Sequence, residues 1–232
     1  MQHILLLHGA IGSAEQLHPL RERLASSLYH VHSFNFSGHG GKPVSRPLSM
    51  ELFAEETFAY IKSHALNNLH VFGYSMGGYV AMYLSSVYPG LIGKIVTLGT
   101  KYQWSPETAA REVKMLRPEI IEEKVPAFAA ALAKKHGNNN WKPLLAATAA
   151  MLLQLGDSPL LNTARLQKIS SEVLLMIGEK DNMVSPEETT ATAQQLQKGS
   201  VQILTNTAHP IEQVDINMLS EKILSFFSGV SV

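Results

Sequence analysis

Gly73-Tyr74-Ser75-Met76-Gly77 is the stretch on which the reading of this chain turns. Residues 70–74 before it form a short β-rich run. Residues 76–88 after it carry a helical pattern, with Val80, Leu84 and Val87 expected on the buried side. A serine on a tight strand-to-helix turn is lifted above the sheet, and flanking glycines let the backbone pass without a Cβ clash. The first N–H groups of the helix, and its dipole, place partial positive charge where that hydroxyl would attack. A bare pattern of this kind arises by chance on the order of 0.1 times in such a chain, so its placement between strand and helix carries the weight.

The alternation continues in both directions. Residues 4–7, 30–36, 94–98, 172–177 and 201–204 read as further strands, most of them nearly continuous apolar runs suited to a sheet covered on both faces. Helical patterns fall at about residues 14–28, 49–65, 186–197 and 212–227. In the last, Ile216, Leu219, Ile223 and Phe226 make one apolar stripe. Ser185-Pro186-Glu187-Glu188 supplies an N-cap, a proline at the first helical position and a capping-box glutamate. Such an order predicts βαβ units and a mostly parallel sheet. From about residue 104 to 165 there are helical patterns and no strand-like run, which is too long for a simple crossover. This segment is expected to be a helical cap lying over one end of the sheet.

A serine hydroxyl needs a base to take its proton, and the base needs an acid to orient it. Asp181, in Gly178-Glu179-Lys180-Asp181, lies just past a predicted strand, where catalytic groups gather in open α/β sheets. Glu179 is its rival. His209 lies in the loop between the final strand and the last helix. Ser75, Asp181 and His209 therefore arrive in the order nucleophile, acid, base. An oxyanion formed on attack needs two N–H donors. Met76 and Ala10 are the expected pair, with Ile11 N–H as the alternative to Ala10. His8 reads as a structural hydrogen-bonding residue, and His39 as either a turn stabiliser or part of the pocket mouth.

Composition removes several other classes of function. The 232 residues are 45% hydrophobic and 16% charged, a globular mix. Lys+Arg and Asp+Glu balance at 19 each, so no global field favours nucleic acid or an anionic membrane. With no cysteine there is no thiolate chemistry, and no paired histidines at helical spacing suggest a metal site. No cofactor is expected. The N-terminal apolar run is too short for a signal sequence or a membrane span, giving the expectation of a cytoplasmic protein that does not engage the membrane. Its oligomeric state is left open.

Five elements in order, His8-Gly9, Ser37-Gly38-His39-Gly40, Gly73–Gly78, Gly178–Asp181 and Ala208-His209-Pro210, resemble the α/β-hydrolase superfamily. The likeness is greatest to small capped esterases and to the related C–C-bond hydrolases and MenH-like lyases. It implies a mostly parallel six-stranded sheet flanked by helices, the family's usual first hairpin being missing before His8-Gly9. It also implies a core of residues 1–102 and 166–232 with a cap at 103–165, and a triad of Ser75, Asp181 and His209. Where the family commonly has an acidic residue before Gly38-His39-Gly40, this chain has Asn35, a departure expected to bear on loop stability. The cap is rich in apolar residues, of which Trp104 and Met151, with Ile11 and His39 from the core, are candidates to line a pocket. Its arginines, Arg111, Arg117 and Arg165, form no evident carboxylate clamp, which favours a small neutral ester or thioester as substrate. The alternatives are C–C cleavage or elimination by the same residues, and a small-molecule receptor without turnover.

Overall fold

The computed structural model describes residues 2–26 and 28–229; Met1, Ser27 (inside the helix expected at 14–28) and residues 230–232 lie outside them. Its centre is a six-stranded, wholly parallel sheet in the order β2-β1-β3-β4-β5-β6. The strands are β1 (Gln2–Leu7), β2 (Tyr29–Ser33), β3 (Leu69–Tyr74), β4 (Lys94–Leu98), β5 (Glu172–Gly178) and β6 (Gly199–Leu204). Helices α1 (His18–Leu24), α2 (Met50–Ser63) and α3 (Met76–Val87) alternate with the first four strands. Between β4 and β5 come α4 (Pro106–Glu112), α5 (Pro118–Lys124), α6 (Pro126–His136), α7 (Trp141–Asp157) and α8 (Thr163–Leu166), with no strand among them. Helix α9 (Pro186–Ala193) precedes β6, and α10 (Ile216–Ser228) follows it.

The two-residue period of the strands sorts their side chains into two cores. Leu5, Leu7, Val71, Ile95, Val173 and Leu175 face the α2–α3 side. Ile4, Leu6, Phe72, Val96, Leu174 and Met176 face the α1–α10 side, where Leu219 and Ile223 of the expected α10 stripe meet them. Phe227 is the buried ring at the end of the helix, and the expected Ile216 and Phe226 are only partly buried. Both faces are thus covered, as the apolar strand runs require. Trp141 seeds a smaller third core with Ile121, Leu132 and Leu145 among the helices between β4 and β5. Among the described residues no helix is long and apolar enough to cross a membrane.

Three local expectations are corrected. β2 ends at Ser33, not at residue 36, because Phe36 turns its N–H to the His8 ring, 3.3 Å away. Val87 is exposed: the buried side of the last turn of α3 is Ser85 and Ser86, whose hydroxyls bond Ser171 and the Tyr83 carbonyl. Ser185 caps α9 by accepting from Glu188 N–H, but the Glu188 carboxylate does not close a capping box. It reaches across to Tyr102 and Gln103, accepting their N–H groups at 2.7 and 2.8 Å, and so ties α9 to the chain leaving β4.

Candidate active site

Strand order places the site. β2 and β3 lie on opposite sides of β1, so the connections leaving β1 and β3 diverge and open a crevice at the carboxyl ends of those strands. The His8-Gly9-Ala10 loop leaves β1 there, and Ser75 leaves β3. Ser75 adopts φ 50° and ψ −116°, a left-handed conformation that costs a non-glycine residue about 1–3 kcal/mol. The turn is held by Ser75 N–H donating to the Leu98 carbonyl at 2.8 Å and by the Thr100 hydroxyl donating to the Ser75 carbonyl at 2.9 Å. Gly77 permits it: any Cβ there would collide with the Leu7 carbonyl oxygen, so only glycine lets α3 start this close to β1. The Ser75 hydroxyl makes no hydrogen bond among the described residues. Its side chain lines a small cavity of about 80 Å³ together with Ala10, Met76, Tyr79, Trp104 and His209.

His209 follows β6, and Asp181 follows β5. The His209 Nδ1 lies 2.7 Å from Asp181 Oδ2. An ionised carboxylate can only accept, so Nδ1 carries the proton and donates, which leaves the Nε2 lone pair as the ring's base. The other carboxylate oxygen, Oδ1, accepts the N–H groups of Met183 and Val184 at 2.8 and 2.9 Å. Burial pushes the Asp181 carboxyl up, but the His209 bond and charge and these two N–H donors more than offset it, so it sits below its ordinary value. Asp181 is the acid that meets His209; the rival Glu179 instead accepts the Asn206 N–H.

Two residues around this pair carry no motif. Gly99, at φ 60°, runs beneath the bond: a Cβ there would lie 3.1 Å from both Asp181 Oδ2 and His209 Nδ1. The Tyr74 hydroxyl donates to the His209 carbonyl at 3.1 Å and fixes the main chain of the loop.

On the far side of Ser75 the His8–Ile11 loop is held by three buried histidines. His8 donates through Nδ1 to the Gly9 carbonyl at 2.8 Å and accepts Phe36 N–H at Nε2. His39 donates through Nδ1 to the Ser37 carbonyl at 2.9 Å and accepts Ile11 N–H at Nε2, 3.2 Å away. His136, the last residue of α6, donates through Nε2 to the Ile11 carbonyl at 2.9 Å and accepts Gly40 N–H at Nδ1. In each ring one nitrogen must accept, so all three are neutral in this arrangement. Burial is the main cause: it holds His8 well below the ordinary imidazole value, His39 at about 4, and His136 below that ordinary value. Asn35 also serves this loop, accepting Ala14 N–H at 2.6 Å through its side-chain oxygen.

His39 occupies Ile11 N–H, whereas neither Ala10 N–H nor Met76 N–H bonds another of the described residues. Of the four pocket candidates, Trp104 lines the cavity. His39 is fully buried behind the Ile11 loop, Ile11 packs among the helices near Trp141, and Met151 faces a separate depression between α2 and α7. Sequence reasoning missed Lys101 and Glu112, which face the cavity as an ion pair at 3.7 Å. Among the described residues no cluster of three or more His, Asp or Glu side chains is placed to hold a metal ion.

A parallel sheet carrying a serine elbow after one strand and a bonded Asp–His pair after two others defines the α/β-hydrolase class of site. A model of the alpha/beta hydrolase family matches residues 4–215, and the chain belongs to that family. It is 25% identical to a thermostable monoacylglycerol lipase from a Bacillus species, over 97% of this chain and 90% of that one. It is also 28% identical to an abhydrolase domain-containing protein from Schizosaccharomyces pombe, but over 41% of this chain and only 36% of that longer relative. Among solved structures, a thermophilic esterase from Thermogutta terrifontis superposes with a TM-score of 0.79 at 18% identity, covering 100% of this chain and 91% of that one. MenH from S. aureus gives 0.78 at 18%, covering 99% and 94%.

Proposed function

We propose that the protein is a serine hydrolase that cleaves a small, largely apolar carboxylic ester or thioester through an acyl-enzyme. The observation that carries this reading is the His209–Asp181 bond, which leaves the proton-accepting Nε2 on a ring that shares its cavity with Ser75. His209 removes the Ser75 proton as the hydroxyl oxygen adds to the substrate carbonyl. The oxyanion is received by the unpartnered N–H groups of Ala10 and Met76, the latter at the start of α3. His209 then gives its proton to the departing alcohol, and a water activated by the same ring hydrolyses the acyl-serine. Helices α4–α8 act as a cap: Trp104 and Leu152 wall the cavity, and a space this small must open for substrate to enter. Esterase and lipase relatives are consistent with ester cleavage.

The test is labelling with a fluorophosphonate, followed by a series of esters of increasing acyl length. Wild type is expected to be labelled and to hydrolyse short esters, and Ser75→Ala to do neither. An unlabelled wild type sinks the reading. Labelling without turnover of any ester or thioester moves it to C–C cleavage or elimination.

A further inference from the structure

Apart from Ser75, His209 and the Tyr79 hydroxyl, which accepts the Leu160 and Leu161 N–H groups, the side chains lining the cavity are largely apolar except at one place. Lys101, two residues past Gly99, and Glu112, the last residue of α4, both face it, and each side chain is only 12% exposed. The Lys101 ammonium donates to the Met183 carbonyl at 2.6 Å, which fixes its position beside the loop that holds Asp181. The Glu112 carboxylate accepts no hydrogen bond from the described residues. The two heads stand 3.7 Å apart, beyond the roughly 2.7–2.9 Å of a charge-assisted hydrogen bond.

As a structural latch such a pair is a poor device. Burying two charges is costly unless their geometry is tight and their remaining valences are filled, and here neither holds. As a receptor for a polar group the same geometry is apt. One hydroxyl oxygen about 2.8 Å from each head could accept from the ammonium and donate to the carboxylate. A substrate carboxylate would be drawn to Lys101 but repelled by Glu112, so a neutral donor–acceptor group fits best.

We infer that Lys101 and Glu112 form a hydroxyl-binding subsite, so that the preferred substrate is an otherwise apolar ester bearing a free hydroxyl near the scissile bond. This rests on the hydrolase reading above and narrows it. Buried polar groups left unpaired are what make an enzyme reject an analogue lacking the matching group.

The experiment compares kcat/KM for esters that differ by a single OH-for-CH3 exchange. A 2-hydroxyethyl ester is set against the propyl ester of the same acid, and then a 4-hydroxybutanoate against a pentanoate of one alcohol. In wild type, at least one hydroxyl ester should exceed its partner about tenfold, and a 2-carboxyethyl ester should show no such gain. In Glu112→Leu the ratio should fall towards one, with Glu112→Gln retaining part of it. Equal rates within both wild-type pairs, or the carboxylate ester as the best substrate, overturn the subsite while leaving the hydrolase intact. If both rates fall together in Glu112→Leu with their ratio unchanged, the pair is only a latch and the subsite is wrong. No turnover of any ester removes hydrolase and subsite together.

Discussion

The two flanks of Ser75 use the same side chain to opposite ends. On one flank His209 is bonded through Nδ1 to a carboxylate, which leaves Nε2 without a partner among the described residues. On the other, His8, His39 and His136 are bonded only to main-chain groups, with one ring nitrogen accepting an N–H in each case. Those rings cannot be protonated without losing the bond they make. If the proposed role of His209 holds, the partner, rather than the imidazole, decides whether a histidine beside Ser75 is a base or a strut.

The largest effect that would break this comparison is on the His209 side. Asp181→Asn should lower kcat for ester hydrolysis by about 10⁴, because the amide no longer selects the Nδ1–H tautomer. His39→Gln should leave kcat within about tenfold, since Gln can still accept Ile11 N–H and donate to the Ser37 carbonyl. Equal losses in the two variants, measured by steady-state kinetics on one ester, would mean that both flanks do the same job.

Next in size is the response to acid. His39 titrates at about 4 in the fold, against 6.5 for an ordinary imidazole, so in acid the unfolded chain takes up its proton first. Stability from this residue is complete above pH 6.5, falls as pH drops, and is lost once pH passes about 4. At 1.36 kcal/mol per unit the whole shift amounts to roughly 3 kcal/mol, of which about 2 kcal/mol is gone by pH 5. His8 and His136, also held low, add in the same direction. Asp181, held below its ordinary 3.8, loses its contribution only at more acid pH. Urea unfolding at pH 7 and pH 5 should therefore show a drop that is smaller in His39→Gln. An identical drop in both proteins would take His39 out of the account.

Much of this was readable in the chain and some was not. Four of the six strands announce themselves as apolar runs, β2 and β6 at the sheet edges being more polar. Ser75, Asp181 and His209 each follow a strand, so fold and triad candidates come largely from local pattern. Lys101 and Glu112 have no such signature. Their meeting depends on Gly99 turning at φ 60° and on α4 packing so closely on α7 that Gly156 has no room for a Cβ against Ala109 and Ser105. His136 in sequence is merely a basic residue closing a helix, a common partner for the helix dipole. Its role appears only when α6 is laid against the Ile11 loop, 125 residues earlier in the chain. Contacts made by tertiary packing between distant segments leave no period to read.

His136 sharpens the comparison further, because it is the strut that reaches from the helical segment to the core. His136→Phe keeps the ring volume but abandons the Ile11 carbonyl and strands Gly40 N–H, a cost of about 1.5 kcal/mol in denaturant unfolding. KM should rise more than kcat falls, since the ring ties the segment to the loop and takes no part in proton transfer. A kcat loss near that of Asp181→Asn would place His136 with the reacting groups.

The smallest effect concerns how His209 is held at all. The struts are fixed through both ring nitrogens, so protonating any of them costs a bond. His209 is fixed by its ring on one side only, through Nδ1, and otherwise by its main chain, where the Tyr74 hydroxyl donates to its carbonyl. Burial pushes the Tyr74 phenol above its ordinary value, so it stays a neutral donor throughout the working range. Tyr74→Phe removes that single bond while keeping the ring that packs beside Gly9. The expected cost is about 1 kcal/mol in stability and a fall in kcat of less than tenfold. The pH dependence of kcat should keep its shape, because the Asp181 bond that sets the tautomer is untouched. A changed pH profile in Tyr74→Phe would show that the main-chain anchor also sets the ring's protonation, and the division between base and strut would then rest on more than the carboxylate.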